Sequence, residues 1–205
     1  MKNLVIMFVV LVAWAQAGVA ADAAAGKSNS AVCAACHGAD GNSMAPSFPK
    51  LAGQGEAYLV KQMKDIRDGA RPVPTMAGQL DGKSDADLAD LAAYFSSQTQ
   101  SGGKTKPELQ ALGETVYRGG IAARNVAACS ACHSPTGHGN APAGFPSLAG
   151  QHAQYIADQL RMYRKGYEDD TGRTNDGDAK IMRTIAFGLS DKEIEAVASY
   201  IAGLK

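Results

Sequence analysis

The chain has 205 residues, with 20 basic and 20 acidic side chains and 45% apolar, 20% charged and 6% aromatic residues. That balance fits one or two globular domains and excludes a disordered or collagen-like chain. The lack of a basic excess removes the electrostatic footprint of nucleic-acid binding. Only four Cys and four His are present, so their placement decides the chemistry.

Residues 1–20 read as a secretory signal peptide. Met1-Lys2-Asn3 is a short positive start, Leu4 to Ala15 is an apolar run, and Gln16 to Ala21 is small enough to be cleaved, for instance after Gly18-Val19-Ala20. The run is shorter than the ~20 residues a spanning helix needs, and Gln16 interrupts it. An uncleaved membrane anchor is the rival reading. The expected product is an exported, periplasmic protein.

After the leader the chain repeats itself. Cys33-Ala-Ala-Cys36-His37 recurs as Cys129-Ser-Ala-Cys132-His133 at an offset of 96 residues. Phe48-Pro49-Lys50-Leu51-Ala52-Gly53-Gln54 recurs as Phe145-Pro146-Ser147-Leu148-Ala149-Gly150-Gln151 at 97. Tyr58, Leu59, Gln62 and Gly69 match Tyr155, Ile156, Gln159 and Gly166 at the same offset. Ser84 and its following helix pattern match Ser190 at 106, so the second half holds an insertion, placed in the polar stretch Tyr167 to Lys180 and read as a surface loop. Two homologous halves follow, residues 21–100 and 108–205, joined by a polar, Gly-containing linker at 101–107.

Each half is expected to be helical. A first helix lies near Ala23–Val32 and near Leu109–Arg118. A second begins near Glu56 and Ala153, with Leu59, Met63, Ile66 and Ile156, Leu160, Tyr163 as its apolar faces. A third carries Leu88, Leu91, Ala92, Phe95 and Ile194, Val197, Ala198, Ile201 at helical spacing. Ser84 and Ser190 each stand three residues before an acid, Asp87 and Glu193, which predicts capping boxes. No strand-length alternation appears. A half of this size buries only roughly 60–65% of its surface, so something else must complete each core.

The repeated Cys-x-x-Cys-His is the attachment pattern of c-type haem. Two thiols on one helical turn reach the two vinyl groups of one porphyrin, and the next residue lies under the ring, where it binds iron. Two disulfides, a zinc site or a thioredoxin-like pair would each leave the two adjacent histidines unexplained. The cofactor expectation is therefore two covalent haem c groups on Cys33, Cys36, Cys129 and Cys132, with His37 and His133 as axial ligands. The sixth position can be Met, His or open. Met76 and Met182 each lie eight residues before the repeated serine and are the only Met pair at matching positions. Met63 reads as core, Met44 and Met162 have no Met counterpart, and His138 and His152 read as surface or structural residues. Pro49 and Pro146 stand about a dozen residues after each His and offer a carbonyl to its other ring nitrogen.

With these residues in view, the chain resembles a dihaem class I cytochrome c of the cytochrome c4 family. The resemblance spans nearly all of the chain after the leader. It rests on CAACHG, FPKLAGQ and Met76 in one half, and on CSACHS, FPSLAGQ and RTNDGDAKIMRTIA with Met182 in the other. It implies an all-α fold of two tandem domains about a pseudo-twofold axis, with the haems near the interface and His37/Met76 and His133/Met182 on the irons. It also implies an electron carrier rather than an enzyme. A terminal oxidase would be its acceptor, and a quinol-oxidising complex or another cytochrome its donor, at a membrane face where peripheral association is feasible. The rivals are a haem subunit of a larger redox complex and a dihaem peroxidase or sulfur-compound oxidoreductase, which would need an open iron position. Different loops and charges around the two sites predict unequal reduction potentials.

Overall fold

The computed structural model describes residues 20–169 and 171–205. The leader assignment falls almost wholly on residues 1–19, outside the described residues. The first half contains α1 (Ala23–Asn29), the short α2 (Ala34–His37), α3 (Glu56–Arg67) and α4 (Asp85–Ser96). The second contains α5 (Pro107–Gly119), the short α6 (Ser130–His133), α7 (Ala153–Glu168), α8 (Ile181–Phe187) and α9 (Asp191–Gly203). Among the described residues there is no β-strand, only two isolated bridges, Ile121 to Val126 and Asn140 to Phe145.

The first and last helices of each half cross: α1 packs on α4, and α5 on α9. Glycine makes the crossing tight. A β-carbon at Gly26 would lie 1.9 Å from the Asp90 carbonyl oxygen, and one at Gly113 would lie 2.3 Å from that of Ala196. The helix carrying residues 56–67 or 153–168 closes the other side, as α3 on α4 and α7 on α9. The apolar faces then meet in two separate cores. Leu59, Leu80, Leu88, Leu91 and Phe95 form one. Val116, Tyr117, Ile156, Leu160, Ile194, Val197 and Ile201 form the other.

Local chemistry sets where these helices begin. Ser84 Oγ accepts from the Asp87 N–H at 3.1 Å while the Asp87 carboxylate accepts from the Ser84 N–H at 2.8 Å. Ser190 and Glu193 repeat the arrangement. Each box satisfies otherwise orphaned helix N–H groups and so fixes where the helix begins.

The two halves meet through a reciprocal set of polar contacts. Gln54 accepts from the Ser147 N–H and donates to the Ser147 carbonyl, both at 2.9 Å. Gln151 accepts from the Lys50 N–H at 2.9 Å and donates to the Lys50 carbonyl at 2.8 Å. Gln54 corresponds to Gln151 in the repeat, and Lys50 to Ser147. Exchange of equivalent contacts is the signature of a two-fold interface, here a pseudo-twofold one within a single chain. The segment between the halves is tied down as well. Lys50 Nζ donates to the carbonyls of Ser101 at 2.5 Å and Gly150 at 3.0 Å, and the Lys106 N–H donates to Ser199 Oγ at 2.9 Å.

The polar stretch after Tyr167 is a loop exposed over most of its described length, as expected, but it departs from a purely surface one. Residues 167–168 still belong to α7, and Gly172 and Arg173 are buried. The Arg173 guanidinium reaches Gln159 Oε1 at 2.7 Å, Gln62 Oε1 at 2.8 Å and Asn175 Oδ1 at 2.8 Å, and lies 4.4 Å over the Tyr163 ring. Polar composition does not by itself mean solvent when this many acceptors converge on one side chain.

Candidate functional site

Each half presents its Cys-x-x-Cys-His as a single turn, α2 or α6, ending on a buried histidine. His37 Nδ1 lies 2.9 Å from the Pro49 carbonyl oxygen, and His133 Nδ1 lies 3.0 Å from that of Pro146. A carbonyl only accepts, so Nδ1 carries the proton and the Nε2 lone pair is free. No protein group bonds Nε2 of either ring among the described residues. Burial lowers the pKa of both rings, against the opposing effect of the Pro carbonyl bond. A neutral imidazole held by a carbonyl, with its other nitrogen open, is the state a metal-binding histidine requires.

An aromatic edge fixes each ring further. Phe48 stands at 6.2 Å from His37 with the planes at 68°, and Phe145 at 6.1 Å from His133 at 65°. The Phe-Pro pair at the head of the repeated loop therefore supplies an aromatic contact to the ring and a carbonyl to its nitrogen. The sequence reading gave Phe48 and Phe145 no role, although their recurrence with the adjacent proline was a usable signal.

The four cysteines are unpaired. Burial raises the Cys33 thiol and pushes that of Cys129 up to about 11. A thioredoxin-like pair depends on a lowered thiol pKa, so this environment does not suit it. Among the described residues no group of three or more His, Cys, Asp and Glu gathers to hold a metal ion, which leaves a zinc site without ligands. Cys33 and Met76 pack at the edge of one core, and Cys129 and Met182 at the edge of the other. Each half thus brings two free thiols and one neutral imidazole onto a single turn, a set that fits a covalently held haem.

The other methionines and histidines lie elsewhere. Met63 is partly buried against the first core, Met44 is 93% exposed, and Met162 lies at the surface. His138 is exposed. His152 is structural: its Nε2 lies 2.9 Å from the Ser43 carbonyl of the other half.

A second polar cluster, unanticipated as a unit, spans the interface. Arg71 donates to Gln62 Oε1 at 2.9 Å in its own half, and to Tyr155 Oη at 3.0 Å and Gln159 Oε1 at 2.9 Å in the other. Arg173 does the converse, to Gln159 in its own half and to Gln62 and Tyr58 in the other. Burial raises the Tyr58 phenol, but the charges of Arg173 and Arg71 outweigh this and leave its pKa lowered. The recurrence of Tyr58 and Gln62 as Tyr155 and Gln159 marked four of these residues in the sequence. The arginines sit at different offsets, because the insertion intervenes, and were not marked.

Two tandem all-helical units, each built around a Cys-x-x-Cys-His turn, define a cytochrome c. Residues 23–99 and 111–205 each match the cytochrome c family. The chain belongs to the cytochrome c4 family of dihaem electron carriers. It is 57% identical over 203 residues to cytochrome c4 of Pseudomonas aeruginosa, covering 99% of this chain and 98% of that protein. The crystal structure of reduced recombinant cytochrome c4 from Pseudomonas stutzeri superposes with a TM-score of 0.87 at 54% identity, covering 91% of this chain and 100% of that one. A thiosulfate dehydrogenase electron acceptor of Stutzerimonas stutzeri is 38% identical over 182 residues, covering 84% of this chain and 78% of that protein. The family's cofactor is a pair of covalently bound haem c groups, and its members are carriers rather than enzymes.

Proposed function

We propose that the chain is a periplasmic single-electron carrier. In this reading one haem is attached through Cys33 and Cys36 and ligated by His37 and Met76. The other is attached through Cys129 and Cys132 and ligated by His133 and Met182. Bound haem would supply the one-electron couple, and a thioether ligand would raise its potential. The protein's own residues do the rest. Pro49 and Pro146 hold the imidazole protons on Nδ1, Phe48 and Phe145 set the ring planes, and the reciprocal glutamines hold the halves in one relation.

The carrying observation is the buried, carbonyl-bound histidine at the end of a Cys-x-x-Cys turn, present twice. Export is supported by the charge and apolar pattern of residues 1–20. No helix among the described residues is long and apolar enough to cross a membrane. A terminal oxidase is the proposed acceptor, and a quinol-oxidising complex or another cytochrome the donor. The similarity to a thiosulfate dehydrogenase electron acceptor favours a second donor, an enzyme that oxidises thiosulfate.

The test is the absorption spectrum of protein matured with haem, oxidised and reduced, with a haem count per chain. Two haems, low-spin spectra and the weak near-red band of methionine-bound ferric iron are expected. A high-spin component at rest would overturn the ligand assignment. A redox titration is expected to resolve two unequal potentials. Rates of reduction by a quinol-oxidising complex and by a thiosulfate-oxidising enzyme would rank the two donors.

A further inference from the structure

The two methionine positions are held very differently. Met182 is the second residue of α8, a two-turn helix packed on α7. Its neighbour Arg183 is buried and forms an ion pair with Asp176, Nε to Oδ1 at 2.6 Å, with the two side chains 9% and 5% exposed. The Asp176 carboxylate also accepts from the Arg183 N–H at 3.0 Å, and the guanidinium donates to the Gly177 carbonyl at 2.9 Å. The segment before Met182 is locked too, by the Arg173 N–H to the Met162 carbonyl at 2.8 Å and by the Arg173 side chain.

Met76 has no such support. It ends a one-turn 3-10 helix, Pro74–Met76, that lacks a side-chain cap. Every backbone hydrogen bond made by residues 72–82 is local, such as Met76 N–H to the Val73 carbonyl at 2.8 Å and Gln79 N–H to the Met76 carbonyl at 3.0 Å. No side chain of residues 72–82 makes a hydrogen bond among the described residues. A cavity of about 220 Å³ is lined by Met76 with Ile66, Val73, Pro74 and Leu80 among others. Few buried contacts and only local backbone bonds are the marks of a segment that opens at low cost.

We propose that the Met76 position is a binding site for small external ligands of haem iron, such as cyanide on the ferric protein, while the Met182 position resists them. The inference rests on the ligand assignment above. With haem held by these residues, cyanide would take the iron position that Met76 would otherwise fill, and the proton of hydrogen cyanide would pass to solvent. The thioether swings away from the iron, and no electron changes hands.

The experiment follows the near-red band of the fully oxidised, two-haem protein after cyanide is added. Two phases of equal amplitude are expected, differing by about tenfold or more in rate. Asp176→Asn is expected to quicken the slow phase and leave the fast one unchanged. Val73→Ala, which enlarges the cavity without touching the buried pair, is expected to quicken only the fast phase. This second variant serves if the first does not fold. A band that bleaches in one phase, or a fast phase that responds to Asp176→Asn, would overturn the inference while leaving methionine ligation standing. A near-red band absent at rest would instead overturn the ligand assignment, and this inference with it.

Discussion

Gln54 and Ser147 form a closed pair across the domain boundary: one carboxamide both accepts from and donates to the backbone of one residue, at 2.9 Å each way. The pair is buried on the glutamine side, so water does not replace what a substitution removes. Gln54→Ala leaves an N–H and a carbonyl unpaired and is expected to cost about 1–3 kcal/mol. Gln151→Ala is expected to cost a similar amount. The double variant is expected to cost less than the sum, because both act on one interface. Denaturant unfolding of the two-haem protein, followed by circular dichroism, measures all three.

Arg173 joins more partners than Arg71. Its guanidinium meets Gln62, Gln159, Asn175 and Tyr58 and covers Tyr163. Replacing it with Met removes the charge and the donor to Asn175 Oδ1 and Tyr58 Oη, while Gln62 and Gln159 keep their bonds from Arg71. The expected loss for Arg173→Met is about 1–3 kcal/mol, larger than for Arg71→Met. Thermal unfolding ranks the two. Limited proteolysis is expected to cut Arg173→Met first between residues 169 and 180.

The helix crossings make a sharper prediction. Gly113→Ala forces a β-carbon against the Ala196 carbonyl and is expected to destabilise by about 1–3 kcal/mol or more. Gly26→Ala is expected to behave alike against Asp90. Gly119, at the exposed end of α5, has nothing within 4 Å of where a β-carbon would sit. Gly119→Ala is therefore expected to stabilise by about 0.5–1 kcal/mol. Chemical denaturation of the three variants separates close approach from helix propensity.

The hydrogen bond from Arg124 lowers the pKa of the Glu193 carboxyl to about 2, with the Ser190 bonds assisting against burial. A carboxyl whose pKa is lowered by folding stabilises the native state above its unfolded value, near 4.3. That contribution is lost as pH falls towards 2. Glu193→Gln keeps a capping-box side chain and removes the charge. The variant is expected to be less stable than the parent at pH 7, with the gap closing between about pH 4.5 and 2. Unfolding curves across that window check the sign.

Much of this architecture was legible in the residues. Leu88 to Phe95 and Ile194 to Ile201 declared their helices because one buried face has one period. The serine–acid pairs declared their boxes because the donors and acceptors are local in sequence. The histidine–proline bond was foreseeable for a similar reason, since about a dozen residues separate the partners twice over. What the chain hid was anything that joins the halves. Gln54 and Gln151 recur in the repeat, yet recurrence does not say that each binds the other's loop. Arg173 sits in an insertion whose polar composition suggested solvent, and only folding gathers Gln62, Gln159 and Asn175 around it. The close approach at Gly26 and Gly113 was hidden too, because it depends on where a distant helix passes.

The reciprocal polar interface has a consequence for dilution. Hydrogen bonds between glutamines, arginines and backbone would hold two separate chains only weakly, since water competes for every group before they meet. Here residues 97–106 keep the second half within reach of the first, and Lys50 fastens that connection at Ser101. Tethering replaces a bimolecular encounter with an intramolecular one, at an effective concentration of about millimolar. The halves therefore stay paired however few copies of the protein are present, and their mutual orientation does not depend on expression level.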